Sequence, residues 1–174
     1  MNKYRIEGSI AVVEVTGRGG VTLEVKVDAD DIPLMMSTGR RWWAVWDRRR
    51  SEHRIHGQRS MSKRSPFLLS RFLMDAPAGL VIDHINHDPL DNRRSNLRLV
   101  TAAQNQQNRR GPDRDSTTGI RGVHFDKRQG QFVAYLTAYG KRRHLGYFDT
   151  AAEAEVAAIN GRRHYMTHSE DNAS

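Results

Sequence analysis

Three side chains within residues 81–108 are of types that could together cleave a phosphodiester bond. Asp83 and His84 follow an apolar run, and Asn105 comes later in the same segment. Carboxylate and amide oxygens are hard ligands, which suit a magnesium-like ion that keeps several of its waters. A neutral imidazole can take a proton from water, so His84 is the candidate general base for attack on phosphorus.

Two strands, a long loop and a helix must position these side chains. The apolar runs at 80–82 and 97–100 predict strands on either side of a polar loop. Thr101 with Gln104 is a helix-start pattern, so we expect a helix that begins there and carries Asn105. Adjacent residues of a regular strand face opposite ways, so Asp83 and His84 can reach one phosphate only where the strand bends or ends.

Each residue taken singly has a simpler interpretation. An Asp-His pair at a strand end can be a turn, and a lone histidine is more often solvated or hydrogen-bonded than catalytic. A longer pattern reverses this preference: Asp83-His84, Asp91-Asn92-Arg93, Asn96-Leu97-Arg98, Thr101, Asn105 and Asn108. A composite pattern over about thirty residues is far more specific than any one of its members.

This pattern resembles the HNH endonuclease family, in its phage-associated, homing-endonuclease-like branch. The resemblance implies that His84 is the general base, that Asp83 and Asn105 are metal ligands, and that the cofactor is a divalent ion, Mg²⁺ or Mn²⁺. Asn96 matches the middle position of the motif, which is structural in the family and tethers the loop to the backbone. His87 departs from the pattern, because many relatives have glycine there.

The overall charge points to a polyanionic partner. The chain has 174 residues, a formal net charge of +8 and no cysteine. Double-stranded DNA is the default partner of such a protein, because bound Lys and Arg release counterions from the phosphate backbone. The absence of a long apolar span and of a signal peptide argues against a membrane partner and favours a cytoplasmic location. Without cysteine, disulfides and thiolate zinc sites are excluded.

Residues 1–64 predict a small β-rich module that ends in a basic linker. Alternating apolar residues at 21–27, with the run at 10–15, indicate a hairpin. A helical turn after Asp31 is expected to bury Leu34 and Met35. The tryptophans of a strand at 42–46 could stack on bases, but we assign them to the core because so polar a module needs their burial.

The rest of that module and the entry to the nuclease core depend on weaker patterns. Residues 48–64 are basic and almost free of apolar side chains, so they are either a solvated connector or a contact with the DNA backbone. The core itself is assigned to residues 65–110. Ser65-Pro66 predicts a helix start, and apolar residues up to Leu73 recur at helical spacing.

A third module, at residues 117–168, reads as an antiparallel sheet covered by one helix. Residues 131–139 alternate, so Phe132, Ala134, Leu136 and Ala138 are expected to face inward, with Val133 among the residues on the open side. A third strand follows at 141–147. Thr150 with Glu153 predicts a capping box, and a stripe of small residues would let the helix approach the sheet closely.

The residues of this module resemble the AP2 DNA-binding domain, through 119–123, 130–134, 145–150 and 152–154. By this resemblance, the DNA-contacting positions are Arg121, His124, Tyr135, Thr137, Arg142 and His144. Three of them differ in type from plant members, which have arginine, an acidic residue and tryptophan where this chain has His124, Tyr135 and His144. The resemblance therefore implies groove binding by the sheet without the plant recognition sequence.

The predicted fold class is α+β: a β-rich N-terminal module, a ββα-metal nuclease core, and a three-stranded antiparallel sheet on one helix. The predicted function is a metal-dependent DNA endonuclease, targeted by the AP2-like module and using no small-molecule cofactor. One active site per chain predicts nicking by a monomer, and the oligomeric state stays open. Two alternatives remain: an AP2-type regulator with a decayed nuclease, and an RNA-binding protein.

Overall fold

The computed structural model of the protein describes residues 2–39, 41–58, 66–109, 111–169 and 171. The chain divides into two compact units, Met1–Thr101 and Ala102–Ser174, and each is described by itself. Several sheets and few helices make up the described residues, so the predicted α+β class is confirmed. Among those residues, no helix has the length and apolar character needed to cross a bilayer.

Six of the described strands of the first unit form one sheet. Its order is β1-β2-β4-β5-β6, with β3 paired to β2, and all pairs are antiparallel except β2 with β4. The strands are β1 (Tyr4–Glu7), β2 (Ile10–Gly17), β3 (Thr22–Asp28), β4 (Trp43–Asp47), β5 (Glu52–Gln58) and β6 (Pro66–Leu68). Pairing of β2 with β3 from Ile10↔Asp28 to Thr16↔Thr22 confirms the predicted hairpin.

A short helix and one tryptophan close the core of this sheet. Helix α1 (Ile32–Ser37) buries Ile32 and Met35, whereas Leu34 is 40% exposed. The predicted burial of Leu34 is wrong, because adjacent helix residues point about 100° apart and only positions three or four apart share a face. Trp42 is buried, and a Cβ added to Gly57 would lie 2.5 Å from its ring.

Burial of the tryptophans was predicted correctly for Trp42 and wrongly for Trp46. The Trp42 ring packs against Phe67 and Phe72, with ring centroids 5.5 and 5.4 Å away. Trp46 is 49% exposed and contacts His53 on the neighbouring strand. Strand geometry directs Trp42, Ala44 and Trp46 to the same face, so the difference arises along the strand: Trp42 and Ala44 are buried, whereas Trp46 lies beside the turn that leads to β5.

The predictions for residues 48–73 need two corrections. Residues 52–58 form strand β5 rather than a linker, with Ile55 buried and polar side chains on the other face; residues 59–65 lie outside the described residues. Pro66 pairs with Gln58 on the edge strand β6, where its missing N–H is tolerated. The helix α2 (Leu69–Leu73) therefore begins three residues later than Pro66 suggested.

The predicted pair of strands around a long loop is confirmed. Strands β7 (Val81–His84) and β8 (Leu97–Val100) pair antiparallel, with His84 opposite Leu97. The loop between them is bonded to β3, since Lys26 N donates to Leu90 O at 2.8 Å and Asn92 N donates to Lys26 O at 2.7 Å. The loop between β7 and β8 therefore belongs to the same compact unit as the N-terminal sheet.

In the second unit, three strands form an antiparallel sheet of order β11-β10-β9, and helix α4 packs on it. The elements described there are α3 (Ala102–Gln107), β9 (Val123–Asp126), β10 (Gln131–Ala138), β11 (Lys141–Phe148) and α4 (Ala151–Tyr165). The predicted capping box is confirmed: Glu153 N donates to Thr150 Oγ1 at 3.2 Å, and Thr150 N donates to Glu153 Oε2 at 3.1 Å.

Small residues let α4 lie close to the sheet, as predicted. Ala154 and Ala158 are fully buried, and a Cβ added to Gly161 would lie 2.6 Å from Leu145 Cδ1. Of the four residues expected to face inward, Ala134, Leu136 and Ala138 are buried and Phe132 is half-buried. Val133, expected on the open side, is also buried; it lines a hollow there with His124, Tyr135 and Tyr147.

A half-buried ion pair joins the β7–β8 loop to Asp31, which lies just before α1, and its loss should lower stability. Arg94 Nη2 lies 2.7 Å from Asp31 Oδ1, and the Asp31 side chain is only 6% exposed. Arg94→Ala would leave that carboxylate without its cation. Because half of the Arg94 side chain is in solvent, we expect a loss of about 1 to 3 kcal/mol in the free energy of unfolding, measured by urea denaturation.

Arg5→Ala is the matched control for this measurement. Arg5 pairs with Glu24 at 2.7 Å, but both side chains are largely exposed. Water and salt screen such a pair, so the midpoint of unfolding should not change measurably. Equal losses from the two variants would contradict a special role for the Arg94–Asp31 contact.

Candidate active site

Asp83 is held at the end of β7 by a cation from the facing strand. Hairpin pairing sets Asp83 opposite Arg98, and the Arg98 guanidinium reaches Asp83 Oδ2 from Nε at 2.8 Å and from Nη2 at 2.7 Å. The residue is only 7% exposed. The two bonds from Arg98 fix the position of the buried Asp83 carboxylate.

His84, the last residue of β7, points into a small hollow lined by Arg54, Leu68, Pro89 and Asn92. Its Nε2 lies 3.5 Å from Asn92 Oδ1, at the long limit of a hydrogen bond. Burial lowers the pKa of His84 below its ordinary value, and the bond to Asn92 opposes this shift. The imidazole is therefore neutral at pH 7, so it can accept a proton.

Asn96 bonds two parts of the loop together. Its Nδ2 donates to Asp91 O at 2.7 Å, and its Oδ1 accepts from Asn86 N at 2.9 Å. Asp91 is 3% exposed and accepts from Arg93 Nη2 at 2.6 Å and from Asn86 Nδ2 at 3.0 Å. The bonds from Arg93 hold the pKa of Asp91 below its usual value. This network gives the loop after His84 one defined conformation.

His87 occupies a backbone conformation that favours glycine. Its φ is 63°, and its amide donates to His84 O at 3.0 Å, which closes a tight turn directly after the strand. A side chain in this left-handed region costs about 1 kcal/mol. Glycine, which is typical at this position in the family that the motif resembles, would adopt the same turn without that cost.

Asn105 lies on α3, in the second compact unit, whereas Asp83 and His84 lie in the first. The structure thus brings Asp83, His84 and Asn96 together in one hairpin and loop. The convergence of Asn105 on the same point stays a prediction.

The chemistry of the donor set fits a hard divalent ion. Asp83 offers a carboxylate and Asn105 an amide oxygen, and an ion of the Mg²⁺ type keeps waters when few protein ligands are available. Among the described residues, no three His, Cys, Asp or Glu side chains are grouped closely enough to hold an ion.

Three residues beside Asp83 and His84 have contacts that the sequence did not predict. Arg98 and Asn92 were quoted only as parts of the motif, and their contacts follow from the hairpin register and the loop turn. Arg54 faces His84 from β5, and its charge lowers the pKa of that histidine. Its segment was interpreted as a linker, so no sequence signal connected it to the site.

Four of the predicted DNA-contacting residues lie together on the open face of the sheet formed by β9, β10 and β11. His124, Tyr135, Arg142 and His144 line one concavity of about 390 Å³. The Arg142 guanidinium lies 4.1 Å from the centroid of the Tyr135 ring, and His124 contacts the same ring at 5.4 Å. Arg142 and His144 are exposed.

The other two predicted residues, Arg121 and Thr137, do not line this concavity. Arg121 turns toward α3, where its Nη2 donates to Gln107 O at 3.0 Å and its Nη1 donates to Arg109 O. Thr137 is exposed on β10 directly opposite Arg142, so it also lies on the open face, and it lines a second concavity with Arg121. The open face therefore carries five of the six predicted residues, whereas Arg121 is bonded to carbonyls at the end of α3.

Comparison with known proteins finds a match for the segment that carries Asp83 and His84. Residues 75–107 match the family model described as HNH endonuclease, so the chain carries an HNH endonuclease domain there. The chain is similar to Protein 3.8 of Escherichia phage T7, with 34% identity over 69 residues, which are 40% of this chain and 56% of that protein. The chain thus spans about half the length of that relative. No solved structure matches the chain.

The environment of His84 predicts how its imidazole titrates. Because burial lowers the pKa, NMR titration of ¹³C-labelled histidine should give a midpoint below the ordinary 6.5. Asn92→Ala removes a hydrogen bond that raises this pKa, so the midpoint should fall further. A midpoint at or above 6.5, or a rise in the Asn92 variant, would contradict the burial of this ring.

Proposed function

We propose that the protein is a metal-dependent DNA endonuclease whose HNH domain hydrolyses a phosphodiester bond and whose AP2-like sheet binds the target duplex. The observation that carries this proposal is the Asp83–His84 pair, with Asp83 held by Arg98 inside the segment that matches HNH endonucleases. The domains proposed are the nuclease core at 65–110 and the DNA-binding module at 117–168.

His84 is the proposed general base. If Nε2 donates to Asn92, then Nδ1 has the lone pair that accepts a proton from the attacking water. The lowered pKa keeps this nitrogen free of a proton at neutral pH. Asp83 and Asn105 are the proposed metal ligands, and a divalent ion held there would stabilise the charge on the phosphate and on the leaving oxygen.

The open sheet face is the proposed DNA-binding surface. Arg142 and His144 are exposed there, and the net charge of +8 favours association with a polyanion. A planar guanidinium stacked on an aromatic ring is held in place at little entropic cost, so Arg142 can offer paired donors to a guanine edge. The proposal includes that the protein is encoded by a phage and acts in the cytoplasm of a bacterial host. The phage source of the relative supports this part of the proposal.

A second candidate function is DNA binding without cleavage, as in a regulator with a decayed nuclease. The observation that favours it is the Arg98–Asp83 ion pair, because a guanidinium 2.7 Å from Oδ2 competes with a metal for that oxygen. Binding of structured RNA is the remaining alternative, and competition between RNA and duplex DNA separates the two.

Relaxation of supercoiled plasmid tests the nuclease proposal. Wild-type protein with Mg²⁺ or Mn²⁺ should nick the plasmid, chelator should stop it, and His84→Ala should slow it by about a hundredfold or more, since it removes the general base. His164→Ala is the control, because His164 is an exposed histidine on α4. Tight DNA binding without nicking under any metal would favour the regulator.

Arg142→Ala tests the DNA-binding surface. Its loss should weaken binding to a specific duplex by about 1 to 3 kcal/mol if the side chain reads a guanine. Arg163→Ala removes the same charge from the helix that covers the opposite face of the sheet, so its effect should be much smaller. Titration by fluorescence anisotropy at fixed salt measures both, and equal effects would remove Arg142 from a specific contact.

A further inference from the structure

Helix α3, which carries the candidate metal ligand Asn105, is fixed at its C-terminal end by Arg121. The last carbonyls of a helix have no partner within the helix and need donors from elsewhere. Arg121 supplies two: Nη2 donates to Gln107 O at 3.0 Å and Nη1 donates to Arg109 O. The same residue therefore binds the last residue of α3 and the segment that follows it.

The side chain of Gln107 makes a second attachment. Gln107 is only 4% exposed, and its Oε1 accepts from His168 N at 3.3 Å, after the end of α4. The Tyr139 hydroxyl hydrogen-bonds with Thr167 and with Gln107, and these bonds lower the pKa of Tyr139. The end of α3 is thus bonded to residues that follow two elements of the C-terminal module, β10 and α4.

Arg121 is itself held by a buried ion pair. Arg162 Nη1 donates to Arg121 O at 3.0 Å, and Arg162 Nε lies 2.5 Å from Asp171 Oδ2. Arg162 is 7% exposed. A continuous set of charge-assisted bonds therefore runs from Asp171 through Arg162 and Arg121 to the end of α3.

A six-residue helix depends on such contacts for its position. Isolated helices shorter than about twelve residues are marginal in water, so tertiary bonds decide whether α3 forms and where it lies. Two of the guanidinium nitrogens of Arg121 are directed at backbone carbonyls, in contrast to the exposed Arg142 on the open face. The AP2 resemblance assigned both arginines the same role, and their contacts separate them.

We propose that Arg121 is a positioning residue for Asn105: through the end of α3, the C-terminal module sets the place of the last metal ligand. This inference rests on the proposed function, since it takes Asn105 as a ligand. Its consequence is that the module that binds DNA also supplies part of the metal site, and that Arg121 acts on metal affinity rather than on DNA affinity.

Three variants of the full chain test this inference: Arg121→Ala, Arg121→Lys and Arg142→Ala. Free Mn²⁺ is followed by its EPR signal, DNA affinity is measured in chelator, and hydrogen exchange of the α3 backbone is read by mass spectrometry. Arg121→Ala should raise the dissociation constant for Mn²⁺ by about tenfold, because removing the support of a ligand has that effect. Its DNA affinity should stay within about twofold of wild type, which also shows that the module is folded.

The remaining readouts sharpen the expected pattern. Exchange at α3 should speed up by about tenfold in Arg121→Ala, because the helix end loses its partners. Arg121→Lys keeps one donor group for a carbonyl and should recover part of the Mn²⁺ affinity. Arg142→Ala should show the reverse: weaker DNA binding with Mn²⁺ affinity and α3 exchange unchanged.

Two outcomes overturn the inference. If Arg121→Ala weakens DNA binding while Mn²⁺ affinity and α3 exchange stay as in wild type, Arg121 is a DNA contact. If the wild-type protein binds no Mn²⁺, with or without DNA, Asn105 is not a ligand and the inference fails together with the metal site. Arg121-dependent Mn²⁺ binding without any nicking would instead support the inference and overturn only the nuclease activity.

Discussion

The candidate site depends on two backbone hydrogen bonds that join a loop to a strand far away in sequence. The amide of Lys26 donates to Leu90 O and its carbonyl accepts from Asn92 N, so the loop that follows His84 is attached to the N-terminal sheet. Further along the same loop, the ion pair of Arg94 with Asp31 adds a side-chain contact to the N-terminal part of the unit. Without the sheet, a two-stranded hairpin would be marginally stable, and its loop would have no fixed shape.

The polar side chains of the candidate site are fixed by an ion pair and by hydrogen bonds. A carboxylate, an imidazole and two amides lie together with little exposure to water, and burial of such groups is tolerated only when each has a partner. Arg98 and Asn92 are the partners of the two candidate catalytic residues. The positions of Asp83 and His84 are therefore fixed by contacts within the protein.

Local patterns in the sequence were sufficient to predict most of the fold, and they failed where a distant contact decides the structure. Hairpins, the capping box at Thr150 and the small-residue stripe of α4 depend on neighbours a few residues apart. Strand β5 was missed because only Ile55 and Gly57 face the core and the rest is polar. The role of Arg121 could not be read from its position in a motif, since its contacts involve carbonyls 12 and 14 residues away.

The boundary between the two compact units falls at Thr101, inside the segment 75–107 that matches HNH endonucleases. Exchange of the C-terminal module by recombination near Gly111 would separate α3 from the residues that hold its end. A graft that carries α3 along with its own sheet keeps those bonds intact. For protein engineering and for gene fusion, the segment to transfer therefore begins at Ala102. The segment that matches HNH endonucleases is divided between the two compact units.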